Sequence, residues 1–598
     1  MLFKNRIISF SKRFNYINTT VIIILSSAIV YFLHRISNGA ILTSKLLTFF
    51  TFISFLCIFT LPCWPWMRLT LKRRRENIWI FVSLFSILLV IWSWGGETGF
   101  SGDYKKFKMF SMQQQNGFTK PHFFYNNSPI NYPPVSITLI SIISNISGLS
   151  VHRSYFLYSL IISFFLPFVA YSLSRELNLG KKTSIFFACL ISLYGGFFSE
   201  SLKILPYVYT IAPQIVLHFI ARNLNLLVFL IFLTLWFKML NEEQKSFIKP
   251  VVLGIIVGLM GLIHPQAYII GMAYLSFLLI SDFLKRRNYQ YYSLSLLIAL
   301  GVSFLFWGEI LYDIIGVYGG LNTQFSLSPE IYPTKAFEFI MLYGPLPILA
   351  IASFGIKRDK EAWKLVSLIS IFTLIIYRIV LSFLFPNKEM FILRINRFGT
   401  LIFVFLALLA CGGIDRLLKK KKILIISLMV VTVFISYIST FRYFGKFYKK
   451  EPARFINLLS SNFIPDGIHE WERLRHLVPD PQKTIMVPVY WTQKVAWETG
   501  LDVPWVTRSR IAFKKFFEKT LTQDERYNNV QTFYQELSKN VLREDILRRF
   551  EAECFVADQR YLEKKFQVTF LGELEIPRKH AENEQKMKIW YLYTIKNK

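Results

Sequence analysis

The chain has 598 residues, 53% of them hydrophobic and 18% charged, with a mean hydropathy of +0.39 and a formal net charge of +32. A soluble chain of this length carries about a quarter charged residues, so the composition excludes an ordinary soluble enzyme and points to a polytopic membrane protein. The charge does not point to nucleic acid, because Lys and Arg cluster in short loops between apolar runs: LKRRRE at 71–76, LKRR at 284–287, IKRDK at 356–360 and LLKKKK at 417–422. Such clusters mark cytoplasmic loops, since positive flanks resist translocation.

A helix needs about 20 apolar residues to cross a hydrocarbon layer about 30 Å thick. On that measure spans are predicted near 19–35, 41–62, 77–95, 153–174, 183–199, 222–240, 249–264, 267–283, 291–308, 338–355, 364–385, 396–415 and 422–440. The first run follows basic residues and resembles a signal sequence. With no small-residue cleavage site and a dozen spans after it, it reads as an uncleaved first helix. Alternation from a cytoplasmic N-terminus puts every basic cluster inside. It leaves the polar stretches 96–133, 200–221 and 309–337 outside.

The first of these continues into NYPPVSITLISIISNISGLS, 131–150, which is apolar enough for half a span. If it crossed, the RELNLGKK turn at 175–182 would face outward, against the charge rule. It therefore reads as a helix along the outer surface, part of an outer loop over 96–152. Pro133 and Pro134 fix the backbone ahead of it and stiffen its entry.

After the last span the composition changes. Residues 441–598 are charged, aromatic and long enough for one soluble domain. KTIMVPVYW (483–491), CFVADQRY (554–561) and IWYLYTI (589–595) read as strands, and 516–553 as helices. The expected fold class is an all-α polytopic membrane protein of about 13 transmembrane helices over 1–440. A C-terminal extracytoplasmic α/β domain follows over 441–598.

Four of the five cysteines (Cys57, Cys63, Cys189, Cys411) fall in or beside predicted spans, and Cys554 lies in the C-terminal region. This implies neither a disulfide framework nor a CxxC metal site. No P-loop, GxSxG, HExxH or GxGxxG motif occurs, and there is no internal repeat or low-complexity tract.

The residues with chemical promise gather at the outer ends of spans. WSWGGETGFSGDYKKF, 92–107, ends an apolar run and delivers Glu97 and Asp103. Acids in a loop are ordinarily solvated, but a carboxylate at a membrane face works in a partly dry site. Glu200 closes the fifth predicted span, either as a boundary charge or as a second outer acid. Arg394 and Arg397 in FPNKEMFILRINRFGT, 385–400, share a helix face; they either snorkel to headgroups or grip phosphate bidentately. Arg222 sits at the outer start of a span, where snorkelling is the plain alternative. Arg378 lies within a span, where a charge faces a cavity or a partner. His264, followed by Pro265, is either a buried neutral histidine or a pocket residue beside a helix break.

An acidic first outer loop, then Tyr132-Pro133-Pro134, then a surface helix: this order resembles the GT-C superfamily of integral-membrane glycosyltransferases. Protein O-mannosyltransferase, aminoarabinose transferase and arabinofuranosyltransferase-like proteins belong to it. The likeness in order runs over most of the membrane part, from DYKKFKMFSMQQQNGF through NYPPVSITLI to the span and turn after it. It implies a polyprenyl-phosphate sugar donor and a glycan, lipid or protein acceptor at a bacterial plasma membrane. It makes Asp103 the catalytic base, with Glu97 in reserve and Glu200 assisting. Arg397, with Arg394 and Arg222, would hold the donor phosphate, and His264, Tyr132 and Arg378 would line the pocket. A divalent ion, Mg2+ or Mn2+, between Asp103 and Glu200 is compatible with it. A transporter or flippase of lipid-linked saccharides and a non-catalytic membrane scaffold are the alternative readings.

Overall fold

The computed structural model describes residues 2–60, 82, 84–88, 102–119, 133–194, 220–240, 248–284, 290–312, 343–355, 395–418, 422–447, 468–488, 491–492, 495–496, 499–503, 523–577 and 587–595. The apolar runs of the sequence become helices because a buried or lipid-facing backbone must satisfy its own polar groups. The first, α1 (Leu2–Ile36), ends where Asn38 and Gly39 turn left-handed and hand the chain to the short α2 (Ala40–Thr43) and to α3 (Lys45–Thr60). Next come α4 (Gly102–Gln115) and α5 (Val135–Ser147), which starts after the Pro133-Pro134 elbow. The α5 helix stops at Gly148, whose N–H closes on the Ser144 carbonyl at 2.9 Å. Ser150 then caps α6 (Val151–Glu176) by accepting from the Arg153 N–H, which satisfies one of the orphan donors of the first turn.

The remaining helices of this part are α7 (Lys181–Leu193), α8 (Ile220–Leu240), α9 (Ile248–Ile263), α10 (Pro265–Leu284), α11 (Gln290–Tyr312), α12 (Leu346–Ile351), α13 (Ile395–Leu417) and α14 (Lys422–Phe447). Four stretches among the described residues are long and apolar enough to cross a membrane: Thr19–Ile36, Val151–Glu176, Gln290–Gly308 and Lys422–Arg442. Shorter apolar helices stand at Lys45–Cys57, Val135–Ser147, Asn223–Lys238, Pro250–Ile263 and Pro265–Ile280. The structure thus carries a polytopic helical bundle, with four helices of spanning length among the described residues, where about thirteen spans were expected over the whole chain. The expected span at 364–385 and most of that at 77–95 lie outside the described residues. Leu46 and Phe50 on α3, Leu297 and Phe304 on α11, and Ile423 and Phe434 on α14 are exposed, as suits helices solvated by hydrocarbon. Inside the bundle small residues permit close contact. A Cβ at Gly258 of α9 would come within 2.5 Å of the Val302 Cβ on α11.

Beyond α14 lie α15 (Ile468–Leu477), β1 (Thr484–Met486), α16 (Gln523–Ser538), α17 (Glu544–Arg549), β2 (Ala552–Ala557), β3 (Val568–Pro577) and β4 (Met587–Ile595). The strands form one sheet in the order β1-β2-β4-β3. β1 runs parallel to β2, and β4 runs antiparallel to both β2 and β3. Successive side chains alternate between two faces. One face, with Met486, Phe555, Ala557 and Tyr593, packs under α16 and α17 through Val530, Phe533 and Leu547. The other, with Ile485, Cys554, Val556, Trp590 and Leu592, joins an apolar core continuous with α4 and the helical bundle. The sheet is therefore seated on the helical part instead of being sealed from it.

Candidate functional site

Helix α4 is the centre of the site, and its placement follows from polar pairs with α5. Ser111 Oγ donates to the Ile137 carbonyl at 3.3 Å, Gln114 Nε2 to Thr138 Oγ1 at 2.9 Å, and Gln115 Nε2 to Asn145 Oδ1 at 3.0 Å. Ser141 Oγ donates to Gln114 Oε1 at 3.0 Å. Partners rise together along both chains, so α4 and α5 run in the same sense. Residues Val135–Ile142 of α5 are all buried, against α1, α3, α4, α6 and α8.

Asp103 stands in the first turn of α4, about 12 Å before Ser111 at 1.5 Å per residue. It therefore lies toward the end of the pair at which α5 begins, the Pro133-Pro134 elbow. Helix α6 packs against α5, and its Tyr158 Oη donates to Asn223 Oδ1 of α8 at 3.0 Å. Asn223 is fully buried and directly follows Arg222, so the start of α8 packs on α6 and α5.

Arg397 stands in the first turn of α13, and contacts with α7 fix the direction of that helix. Near the far end of α13, Asp415 Oδ1 accepts from the Gly180 N–H and from Thr183 Oγ1, each at 3.1 Å, at the start of α7. Near its own start, the Phe403 ring stacks on Tyr194 at 5.0 Å, just past the end of α7. So α7 and α13 are antiparallel, and α13 begins opposite the turn that joins α6 to α7. Phe405 of α13 and Phe229 of α8, at comparable depths, meet edge to face at 5.9 Å.

Asp103, Arg222 and Arg397 thus each stand in the first turn of a helix, α4, α8 and α13 respectively. Each helix start presents unpaired N–H groups and the positive end of a macrodipole. A helix start favours an anion such as phosphate and also stabilises an acid in its first turn. Glu97, Glu200, Tyr132, Arg378 and Arg394 lie outside the described residues. His264 is buried at the break between α9 and α10, its N–H donating to the Met260 carbonyl at 2.9 Å. Its neighbours Gly261 and Tyr268 bond to Trp307 and Ser303 of α11, so it belongs to the α9–α11 layer. Among the described residues no group of three or more His, Cys, Asp or Glu side chains is placed to hold a metal.

Three residues that the sequence reading passed over secure the other end of α4. His34, in the last turn of α1, is fully buried. Its Nδ1 accepts from the Leu42 N–H at 3.1 Å, so Nε2 carries the proton and donates to the Phe118 carbonyl at 3.1 Å. Asn145 Nδ2 donates to the Leu42 carbonyl and to Thr48 Oγ1. Asn116, one residue past α4, donates to the Thr499 and Gly500 carbonyls, each at 3.3 Å, and its Oδ1 accepts from Arg475 Nε at 2.6 Å. The available signal was polarity inside apolar context, since a buried amide is retained only where it is bonded.

No protein-family description matches the chain, and no curated protein matches it in sequence. Among solved structures it is similar to that of arabinofuranosyltransferase AftD from Mycobacteria, with 13% identity and a TM-score of 0.48. That likeness covers 88% of this chain and 42% of the other, so the chain spans about two fifths of its length.

Proposed function

We propose that this protein is a membrane glycosyltransferase of GT-C type. In this reading it transfers a sugar from a polyprenyl-phosphate donor to a cell-envelope glycan, lipid or protein on the outer side of the membrane. The observation that carries the reading is that Asp103, Arg222 and Arg397 each stand in the first turn of a helix, where the helix start favours a bound anion.

The chemistry needs those groups. The acceptor oxygen attacks the anomeric carbon, and the carbon–oxygen bond to the donor phosphate breaks. The bond pair leaves with polyprenyl phosphate, and the acceptor proton passes to the Asp103 carboxylate as general base. Arg222 and Arg397, with the positive helix ends, stabilise the charge that gathers on the departing phosphate. Glu97 and Glu200 are assisting acids in this scheme, Arg394 a further phosphate ligand, and Tyr132, His264 and Arg378 pocket residues. A Mg2+ or Mn2+ ion would be held by Asp103 and Glu200 and would supply charge stabilisation to the donor phosphate.

The test is sugar transfer by the purified protein in vesicles, with a labelled polyprenyl-phosphate pentose or hexose and an envelope glycan acceptor. Removal of a positioned general base costs on the order of 100- to 10,000-fold, so Asp103→Asn should lose at least two decades of rate. Wild-type transfer by a normally folded Asp103→Asn protein sinks the mechanism. Translocation of the lipid-linked sugar across the vesicle without a new glycosidic bond would mark a flippase, and neither activity would mark a scaffold.

A further inference from the structure

We infer that the C-terminal sheet domain positions the base-bearing helix through Asn116, which makes that domain part of the machinery that sets the reacting geometry. The inference rests on the reading of Asp103 as the base, and it concerns a positioning residue that never touches substrate.

Asn116 follows α4 directly and uses its whole side-chain amide on the C-terminal domain. Its Nδ2 donates to two adjacent carbonyls, Thr499 and Gly500, and its Oδ1 receives the Arg475 guanidinium of α15. It is 5% exposed, so water cannot readily replace those partners. The contact is reinforced on both sides. Gly500 is pressed against Met112 and the Gln113 N–H of α4, and the Gln482 side chain reaches Gly117. The partners on the far side are themselves built in: Asp502 accepts from Thr484 Oγ1 at 2.8 Å, and its carbonyl accepts from the β1 residue Ile485 at 2.9 Å. The sheet thus holds the 499–503 strip, the strip holds Asn116, and Asn116 holds the C-terminal end of α4. A helix is stiff along its axis, so a tilt at Asn116 moves Asp103 at the opposite end. Misplacement of about 1 Å at a reacting group costs up to 100-fold in rate.

The experiment compares wild type with Asn116→Ala, Arg475→Ala and the double variant in vesicles, by sugar transfer and by amide hydrogen exchange of the 102–118 segment. The expected result for Asn116→Ala is a fall in kcat of about tenfold or more, with KM for the polyprenyl-phosphate sugar near wild type and faster exchange across 102–118. Arg475→Ala should give a smaller effect of the same kind, and the double variant should match Asn116→Ala alone, because both residues act in one contact. Asn116→Asp keeps the Arg475 bond and loses the two carbonyl bonds, so its kcat should fall between those of wild type and alanine. The inference is overturned if 102–118 exchanges at the wild-type rate in Asn116→Ala, or if the effects of the two variants simply add. Should the wild-type protein transfer no sugar, the glycosyltransferase reading fails, and the exchange arm still decides whether Asn116 ties α4 to the sheet.

Discussion

Gly39 tests how tightly the first helix is joined to the segment that carries Asp103. Its φ of 90° lies in the left-handed region, and a Cβ added there would sit 2.1 Å from the Gly117 carbonyl oxygen. Real Cβ atoms do not approach such a neighbour within 3.0 Å, so Gly39→Ala must part the two backbones by roughly 1 Å. Neither gives easily. The Gly117 turn is closed by Gly117 N–H to the Gln114 carbonyl at 3.1 Å and by Phe118 N–H to the Gln113 carbonyl at 3.0 Å. The Gly39 turn is tied to it by the His34 bond to the Phe118 carbonyl.

The left-handed conformation of a non-glycine residue costs about 1–2 kcal/mol, and loss of the His34 bond about 1 kcal/mol. A local destabilisation of about 2–3 kcal/mol corresponds to opening about 30- to 150-fold more often. Amide hydrogen exchange of 112–118, measured by mass spectrometry on protein in lipid discs, should quicken by that factor while the α16 peptides stay unchanged. Wild-type exchange over 112–118 in Gly39→Ala would refute the reasoning. Asn tolerates φ above zero but carries the same Cβ. Gly39→Asn should therefore show most of the collision and little of the conformational cost.

Two further predictions follow from polar contacts elsewhere. Asp415→Ala removes the acceptor for the Gly180 N–H and the Thr183 hydroxyl, and should destabilise the α7–α13 pair by about 2 kcal/mol. Asp415→Asn, which keeps an acceptor oxygen, should cost clearly less in detergent unfolding, and equal loss in both would show that the contact does not matter. At the surface of the C-terminal domain, the Arg543 guanidinium bonds both Asp545 oxygens at 2.7 and 2.6 Å and holds that carboxyl down at about 2. A depressed acid contributes its stability in full above its ordinary value of 3.8 and loses it as pH falls toward about 2. NMR titration should find Asp545 ionising near pH 2 in wild type and moving upward in Arg543→Gln.

The helical part of the fold was legible because lipid-sized apolar runs leave the backbone one way to satisfy itself. The Pro133-Pro134 pair marked the start of α5 as a separate helix, and the structure adds Gly148 as its stop. What the sequence did not display was the seating of the sheet. Ile485, Cys554 and Leu592 alternate with Met486, Phe555 and Tyr593 as in any two-faced strand, and alternation cannot say which covering layer lies across the chain. Strand β3 also went unread, because VTFLGELEIP mixes Gly572 and two glutamates into its alternation and shows its pattern only once paired with β4. At the site, Asp103 and the arginines stood out as charges beside apolar runs. Asn116 did not, since a neutral amide in QQQNGF looks like an ordinary helix end, and its partners are more than 350 residues away.

That contrast bears on how the proposed site would be built. The groups with chemical potential occupy helix first turns, where local sequence already favours an acid or orients N–H groups toward an anion. The groups that anchor these helices and α1 lie at the opposite ends: Asn116 after α4, Asp415 near the end of α13, and His34 at the end of α1. Each reaches across the fold to a backbone group of a distant segment, and a backbone partner specifies a position without depending on side-chain identity at the far end. Reactive ends and anchored ends are thus separated by the length of a helix. Substitution at an anchor should therefore impair chemistry without removing any group that performs it, which distinguishes Asn116 from Asp103 in the same assay.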